Sequence, residues 1–283
     1  MTSSPSGLSR PSEPRLLRYQ DVPLILWGDN TSGEVCDWFY TTSEKIHFIM
    51  FSLRPGARWQ HSDRFKPIWD PDVAFHVLQG SLTLHNPATG EVCVAHRGET
   101  LHFRKSTWHY GYNFTTFETR VLEAAAPIPA DLSNEALNRM AQSVPPLKEV
   151  RKARHELMEN WPWNMQKARE AETIKVVRPS DFLQIIQGEK ASVCVSLFVA
   201  TDKLTMGQVT LLPGINTDVE AHGGDEVAVV TEGRINMRLP DTSGWFELSE
   251  RDGFFTPQGT RHQYYNMSDM TATIVFGVAP RYY

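Results

Sequence analysis

Four residues of this 283-residue chain combine the types and spacing that bind a metal: Glu220, His222, Glu226 and His262. Glu220 and His222 stand two apart, so on extended backbone their side chains face the same way. Glu226 follows across Gly223-Gly224 and opens an alternating run in which Ala228 and Val230 share its face. Both neighbours are small and apolar, as a barrel interior requires. His262 arrives from a later strand pair, after the turn residues Pro257-Gln258-Gly259-Thr260. Two imidazoles and one or two carboxylates converging inside a β-barrel make a site for iron, manganese, nickel or zinc. About two or three octahedral positions then stay free for water, substrate or dioxygen. Three ionisable groups aimed into one apolar interior are costly without a cation to neutralise them.

The elements that must position these groups are read from an internal repeat. Gly80, His109, Asn113 and Pro127 recur as Gly233, His262, Asn266 and Pro280, each at an offset of 153 residues. An ungapped match of that length means one unit used twice. Both halves are written in short β-branched and aromatic runs broken by Gly, Pro, Asn and Asp, such as HFIMFSLRPG and LTMGQVTLLPG. That spacing predicts an all-β chain of sandwiches or small barrels. Between the halves, SNEALNRMAQSV and LKEVRKARHELMENW have helical spacing, so residues 128–175 are expected to form a helical linker. Its HELME lacks the second histidine of a zinc motif and reads as a solvated helix face.

The second half resembles the cupin family on specific residues. The first cupin motif is represented by Gly214, Glu220-x-His222, Glu226 and Gly233, and the second by Pro257, Gly259, His262 and Asn266. The chain thus looks like a bicupin. The resemblance implies two tandem double-stranded β-helix (jelly-roll) barrels, covering roughly residues 40–127 and 190–280, with inward-facing ligands His222, Glu226 and His262 in the second. The family's first histidine is Glu220 here. It could complete a site of two histidines and two carboxylates, or stand free as a base beside a triad. A hard carboxylate there favours Fe(II) or Mn(II) over softer metals.

The first half departs further. Its counterpart of Glu226 is Val73, which binds no metal. Pro55-Gly56 matches Pro213-Gly214 at an offset of 158, so about five extra residues fall within RWQHSDRFKPIWDPD. A group of His61, Asp63 and His109 is imaginable there, but scaffolding is the expected role. His76 and His102 alternate away from the inward face, and His85 and His96 lie near turns.

The expected organisation is a disordered Ser/Pro-rich tail (1–20), a degenerate first cupin (21–127), the linker (128–175) and a metal-binding second cupin (176–283). Around the second motif, Phe255 and Tyr264 are candidate cavity residues among Phe254, Trp245 and Tyr265. Gln208 and Met206 precede the ligands on a strand. Arg261, with Arg234 and Arg238, could clamp an acidic substrate. A net charge of −5 without a Lys/Arg run argues against a nucleic-acid partner. Three scattered cysteines argue against a disulfide framework and for a reducing, cytoplasmic home. No apolar run reaches the ~20 residues that span a bilayer. A monomer or a homodimer is equally consistent with the repeat. The expected function is a mononuclear Fe(II) dioxygenase acting on a small oxygenated or aromatic molecule. The alternatives are a redox-neutral isomerase, lyase or cyclase on a sugar-like or keto-acid substrate, with Glu220 as acid/base, and a non-catalytic ligand-binding cupin.

Overall fold

The computed structural model describes residues 11–69, 71–128 and 172–283. The repeat folds as two barrels of the same topology, each a long antiparallel sheet closed by a short one. In the first, Gly33–Thr42, His47–Leu53, Asp72–Gln79 and Thr119–Ala126 are the long members of a seven-stranded sheet. In the second, the equivalents are Val193–Ala200, Thr205–Leu211, Asp225–Glu232 and Ala272–Ala279. Pairing keeps the two offsets read from sequence: Thr119 lies opposite Leu53, as Ala272 lies opposite Leu211.

Strand alternation divides the side chains between two environments. Val209, Leu211, Ala228, Val230, Ile274 and Phe276 point into the second barrel. Their neighbours Met206, Val227, Val229 and Val275 point outward, where they meet Phe48, Met50 and Leu122 of the first barrel. The outer faces of the two long sheets therefore form a shared apolar seam. His76 lies in this seam with its ring stacked on Phe198 at 4.3 Å and Nδ1 bonded to Thr100 Oγ1 at 2.9 Å.

The barrels also exchange strands. Arg15–Leu17 pairs with Gly253–Thr256 of the second barrel, setting Leu16 opposite Phe254 and burying Leu17 in the seam. Ile174–Val177 pairs in turn with Thr100–Phe103 of the first barrel. Two sequence boundaries are corrected by this. The expected tail over 1–20 already contains an ordered strand and a 3-10 turn at Tyr19–Asp21. The expected linker over 128–175 ends in a strand; its central residues, 129–171, lie outside the described residues. Strands of three and four residues are too short to show a period in sequence, and their apolar content looks like a tail or a linker.

Among the described residues no helix is long and apolar enough to cross a membrane. Cys36, Cys93 and Cys194 are unpaired.

Candidate metal centre

Glu226 is the second residue of the strand Asp225–Glu232 and points inward, 2% exposed. His262 sits just before the strand Gln263–Tyr265, and an isolated bridge sets it opposite Glu220, with paired backbone hydrogen bonds of 2.8 and 2.9 Å. His222 is held in the loop between Leu211 and Asp225, where its carbonyl accepts from the Gly259 amide at 3.0 Å. The loop thus brings the Glu220–His222 pair against the His262 turn, and the strand delivers Glu226 between them.

The ligating atoms of His222, Glu226 and His262 all lie within 4.8 Å of one another, and all three residues are buried. Each imidazole is oriented from behind. His222 Nδ1 donates to the Tyr282 carbonyl at 2.8 Å, and His262 Nδ1 donates to the Thr260 carbonyl at 3.1 Å. A carbonyl can only accept, so Nδ1 carries the proton in both rings and both Nε2 atoms turn to Glu226. Those distances are 3.8 Å from His222 and 3.0 Å from His262. The Tyr264 hydroxyl donates to the other carboxylate oxygen, Glu226 Oε1, at 3.1 Å. This supporting set of two carbonyls and a phenol is what fixes metal-binding side chains in place.

Whether these residues fit a cation is decided by their unsatisfied atoms. Glu226 Oε2, His262 Nε2 and Glu220 Oε1 are buried and make no hydrogen bond. The first two are only 3.0 Å apart, yet they aim past each other instead of along one bond. Leaving a buried polar atom unmet costs about 1–3 kcal/mol. Several such atoms converging on one point are accounted for by a divalent cation held there. The donor set fits.

The electrostatics agree. Burial pushes the Glu226 carboxyl up, but the imidazoles of His262 and His222 outweigh it and hold it at about 2, so it remains a carboxylate. Burial pulls His262 down most strongly, but Glu226, the Thr260 carbonyl and the Glu220 charge together outweigh it and leave the imidazole raised. His222 stays lowered, chiefly by burial. Glu220 is pushed up to about 7, by burial first and by Glu226 in addition, against the pull of His262 and a hydrogen bond from Gln187. Burial and the Glu226 charge hold Tyr264 well above its usual range, so its hydroxyl keeps the proton that it donates.

The centre adjoins a small cavity of about 10 Å³, room for about one water. Thr217, Glu220, His222 and Glu226 form its polar side, and Val193, Val195, Val209 and Phe276 its apolar wall. Tyr264 and Tyr282 complete it. Tyr282 stacks on His222 at 4.5 Å and bonds Gln187 Oε1 through its hydroxyl at 2.7 Å. Thr256, opposite Glu226 on the neighbouring strand, has a buried hydroxyl without a partner.

Of the residues singled out in sequence, Glu220, His222, Glu226, His262 and Tyr264 come together here. Phe255, Gln208, Met206 and Arg261 do not. Phe255 is fully buried in the inter-barrel seam, because it alternates outward between Phe254 and Thr256. Gln208 alternates away from the inward Val209, as does Met206. Arg261 is exposed and ion-paired with Asp241 at 2.9 Å. Sequence reasoning missed Tyr282, Gln187, Thr217 and the valine wall. The wall was findable in principle, since Phe276 alternates with Ile274 on the repeat's last strand. Tyr282 had no local signal.

The first barrel shows why it holds no such group. The amide of Ser106 bonds the Trp69 carbonyl at 2.7 Å, and that of His109 bonds the Pro67 carbonyl at 3.1 Å. These are the counterparts of the Gly259–His222 and His262–Glu220 bonds, so Trp69 stands for His222 and Pro67 for Glu220. With Val73 for Glu226, only His109 of the four survives. Its ring packs 4.5 Å from Phe103, which replaces Thr256. Trp59 fills the cavity itself: at Gly111, the counterpart of Tyr264, a Cβ would come within 2.1 Å of the indole. His61 contacts the Tyr110 hydroxyl and the Trp108 ring, while Asp63 is exposed. His61, Asp63 and His109 therefore form no cluster. Among the described residues the one metal-ligating group is His222, Glu226 and His262.

The cupin domain family matches residues 207–278, the stretch that carries all three ligating residues. The second barrel is a cupin domain. Solved structures place the same fold over the whole chain, at identities that speak to the fold alone. A putative glyoxylate induced protein from Pseudomonas aeruginosa is 13% identical, with a TM-score of 0.64, covering 98% of this chain and 93% of its own. Protein Ylba from E. coli is 10% identical, with a TM-score of 0.63, covering 94% of this chain and 90% of its own. The oxalate decarboxylase of Lactobacillus farciminis, in a formate complex, is 13% identical with a TM-score of 0.60, covering 97% and 88%. No curated protein matches in sequence. The cupin site thus sits in one barrel of a pair, backed by a second barrel whose corresponding interior is packed with aromatic rings.

Proposed function

We propose that the second cupin is a metal-dependent active site for redox-neutral proton transfer on a small carbonyl compound. His222, Glu226 and His262 would hold one divalent ion, with Fe(II) or Mn(II) the best match to the carboxylate-bearing set. The observation that carries this reading is the placement of Glu220. Its Oε1 is buried at the cavity edge without a hydrogen bond, beside the metal group and free to meet a substrate proton.

When bound, the ion would polarise a carbonyl oxygen and stabilise the negative charge that builds there. The rest falls to the chain's own residues. Glu220 Oε1 takes the proton from the adjacent carbon and returns it to its neighbour, a general-acid/base role for a positioned carboxyl. Gln187, held by Tyr282, lies beside Glu220 and favours its ionised form. Tyr264 holds Glu226 through Oε1, leaving Oε2 for the ion. Val193, Val195, Val209 and Phe276 exclude water from the reacting carbon.

The dioxygenase expected from sequence has one observation in its favour: two imidazoles and one carboxylate leave positions open for a second reactant. A single experiment separates the two readings. Protein loaded with Fe(II) is incubated anaerobically with hydroxyacetone in D2O, and oxygen uptake is followed in a parallel aerobic sample. Metal-dependent deuterium incorporation that disappears in Glu220→Gln, without oxygen uptake, is the expected result. Oxygen consumption that survives Glu220→Gln would overturn the proposal.

A further inference from the structure

The space beside Glu220 and Glu226, about 10 Å³, holds one water and no organic molecule. Anything larger must displace a wall. Most of the wall is fixed by backbone hydrogen bonds. Val193, Val195, Val209, Glu226, Tyr264 and Phe276 lie in paired strands. Thr217, Glu220 and His222 are bonded through their backbones to Tyr264, His262 and Gly259. Tyr282 differs. Among the described residues the strap 280–283 makes no backbone–backbone hydrogen bond with another segment. Pro280, Arg281 and Tyr283 are exposed, so one buried ring is carried on an exposed strap.

That ring is seated on groups shaped to receive it. It stacks on His222 at 4.5 Å and on Phe276 at 5.4 Å, and its hydroxyl donates to Gln187 Oε1 at 2.7 Å. Gln187 is a firm partner, because the next turn donates the Glu189, Lys190 and Ala191 amides to Asp218 at 2.7, 3.0 and 3.0 Å. Gly223 and Gly224 lie directly under the strap. A Cβ at Gly223 would come within 2.9 Å of the Tyr283 oxygen, and one at Gly224 within 2.1 Å of the Ala279 oxygen. Close approach is what requires glycine there. One neutral hydrogen bond and ring stacking hold the side chain, a local contact that opens without unfolding the barrel.

We infer that Tyr282 is the door of the second cupin: its ring closes the metal centre, and a ligand reaches the ion only when the strap carries that ring out. This rests on the metal-site reading and adds to it how the site is entered. Departure of the ring uncovers the faces of His222 and Phe276. It also frees Gln187 Oε1, which then accepts from the ligand instead of from the phenol. When closed, the ring keeps bulk water from Glu220 Oε1 and the ligating atoms. Tyr282 is a positioning residue as well, since its carbonyl accepts from His222 Nδ1 at 2.8 Å. Ligand entry and release of His222 therefore share one motion.

The full-length protein is tested first without metal. Diethyl pyrocarbonate modifies histidine, and the rate at His222 is followed by peptide mass spectrometry. Tyr282→Ala should raise that rate at least about tenfold, since reaction follows the open population. Tyr282→Phe keeps the ring and loses only the bond to Gln187, so it should raise the rate roughly threefold to tenfold. Val209→Ala widens the space with the door in place and should leave the rate near wild type. His109, buried in the first barrel, reports global unfolding and should stay slow throughout. Co2+-loaded protein is then mixed with imidazole in stopped-flow absorption. The wild-type rate should reach a ceiling as imidazole rises, and Tyr282→Ala should abolish that ceiling. A His222 rate indifferent to residue 282, or raised equally by Val209→Ala, overturns the inference, as does imidazole binding to wild type without a ceiling. If Co2+ fails to bind, the metal reading falls alone, and the His222 rates still decide the door.

Discussion

Glu226 Oε2 and His262 Nε2 lie 3.0 Å apart in the core of the second barrel and share no hydrogen bond. Both atoms are held in that posture from behind, Glu226 by the Tyr264 hydroxyl and His262 by the Thr260 carbonyl. The pair is oriented toward a third party. Removing the phenol should therefore loosen the site without removing a ligand. Tyr264→Phe is expected to weaken Mn2+ binding by roughly tenfold to a hundredfold, read by equilibrium dialysis. Unchanged affinity would show that Glu226 needs no such support.

The first barrel makes the opposite prediction about space. Gly111 lies against the Trp59 ring, whose indole donates to the His109 carbonyl at 2.8 Å. The ring is locked and cannot yield to a methyl group. Gly111→Ala should cost about 1–3 kcal/mol by overpacking, measured by urea denaturation. The same substitution in a Trp59→Ala background should cost little, because the clash is gone. Equal costs in both backgrounds would contradict the account.

Stability should fall toward both acid and alkaline pH, for separate reasons. Burial lowers His76 from its ordinary 6.5 to about 3, and His47 and His109 to about 4. Their folded values lie below the unfolded one, so the stability they contribute is complete above about pH 6.5. It is lost as pH falls from there toward 3–4, at roughly 1.4 kcal/mol per unit for each histidine. Glu123 is the reverse case. Burial raises it to about 8 from 4.5, and burial with the Glu123 charge holds Asp37 high as well. The Glu123 contribution is complete below about pH 4.5 and is lost as pH rises through 8. Glu123→Gln should therefore gain stability over wild type above pH 8 and gain little near pH 5. A pH-independent difference would sink this assignment.

The exchanged strand Arg15–Leu17 gives a fourth expectation. It closes the edge at Gly253–Thr256 and is anchored by Arg18 to Asp252 at 2.7 Å and by the Tyr19 amide to the same carboxylate at 2.9 Å. Leu17→Ala should destabilise by about 2–3 kcal/mol, as for a large-to-small change in a core. Deleting residues 1–10 should leave the melting temperature nearly unchanged, whereas deleting 1–18 should lower it sharply. Equal effects of the two deletions would mean that the strand contributes nothing.

Much of this was legible before the structure. Offsets of 153 and 158 residues, with inward alternation at Glu226, Ala228 and Val230, place the ligands in a repeated barrel. What escaped had physical reasons. Alternation gives the face of a residue only once the strand's inward phase is known, and near Gln208 and Phe255 that phase was taken wrongly. Pro67 and Trp69 were hidden because the extra residues of the first half blur the register until backbone hydrogen bonds restore it. Tyr282 reaches His222 across 60 residues of chain, and Leu16 meets Phe254 across the two barrels. Contacts of that kind leave no periodic trace in sequence.

Metal stoichiometry tests the central claim most directly. Metal-free protein is dialysed against Mn2+, and the bound ion is counted for wild type, Glu226→Ala and His109→Ala. The account predicts about one ion per chain in wild type and in His109→Ala, and none in Glu226→Ala. No ion in wild type, or binding that survives Glu226→Ala, would contradict it.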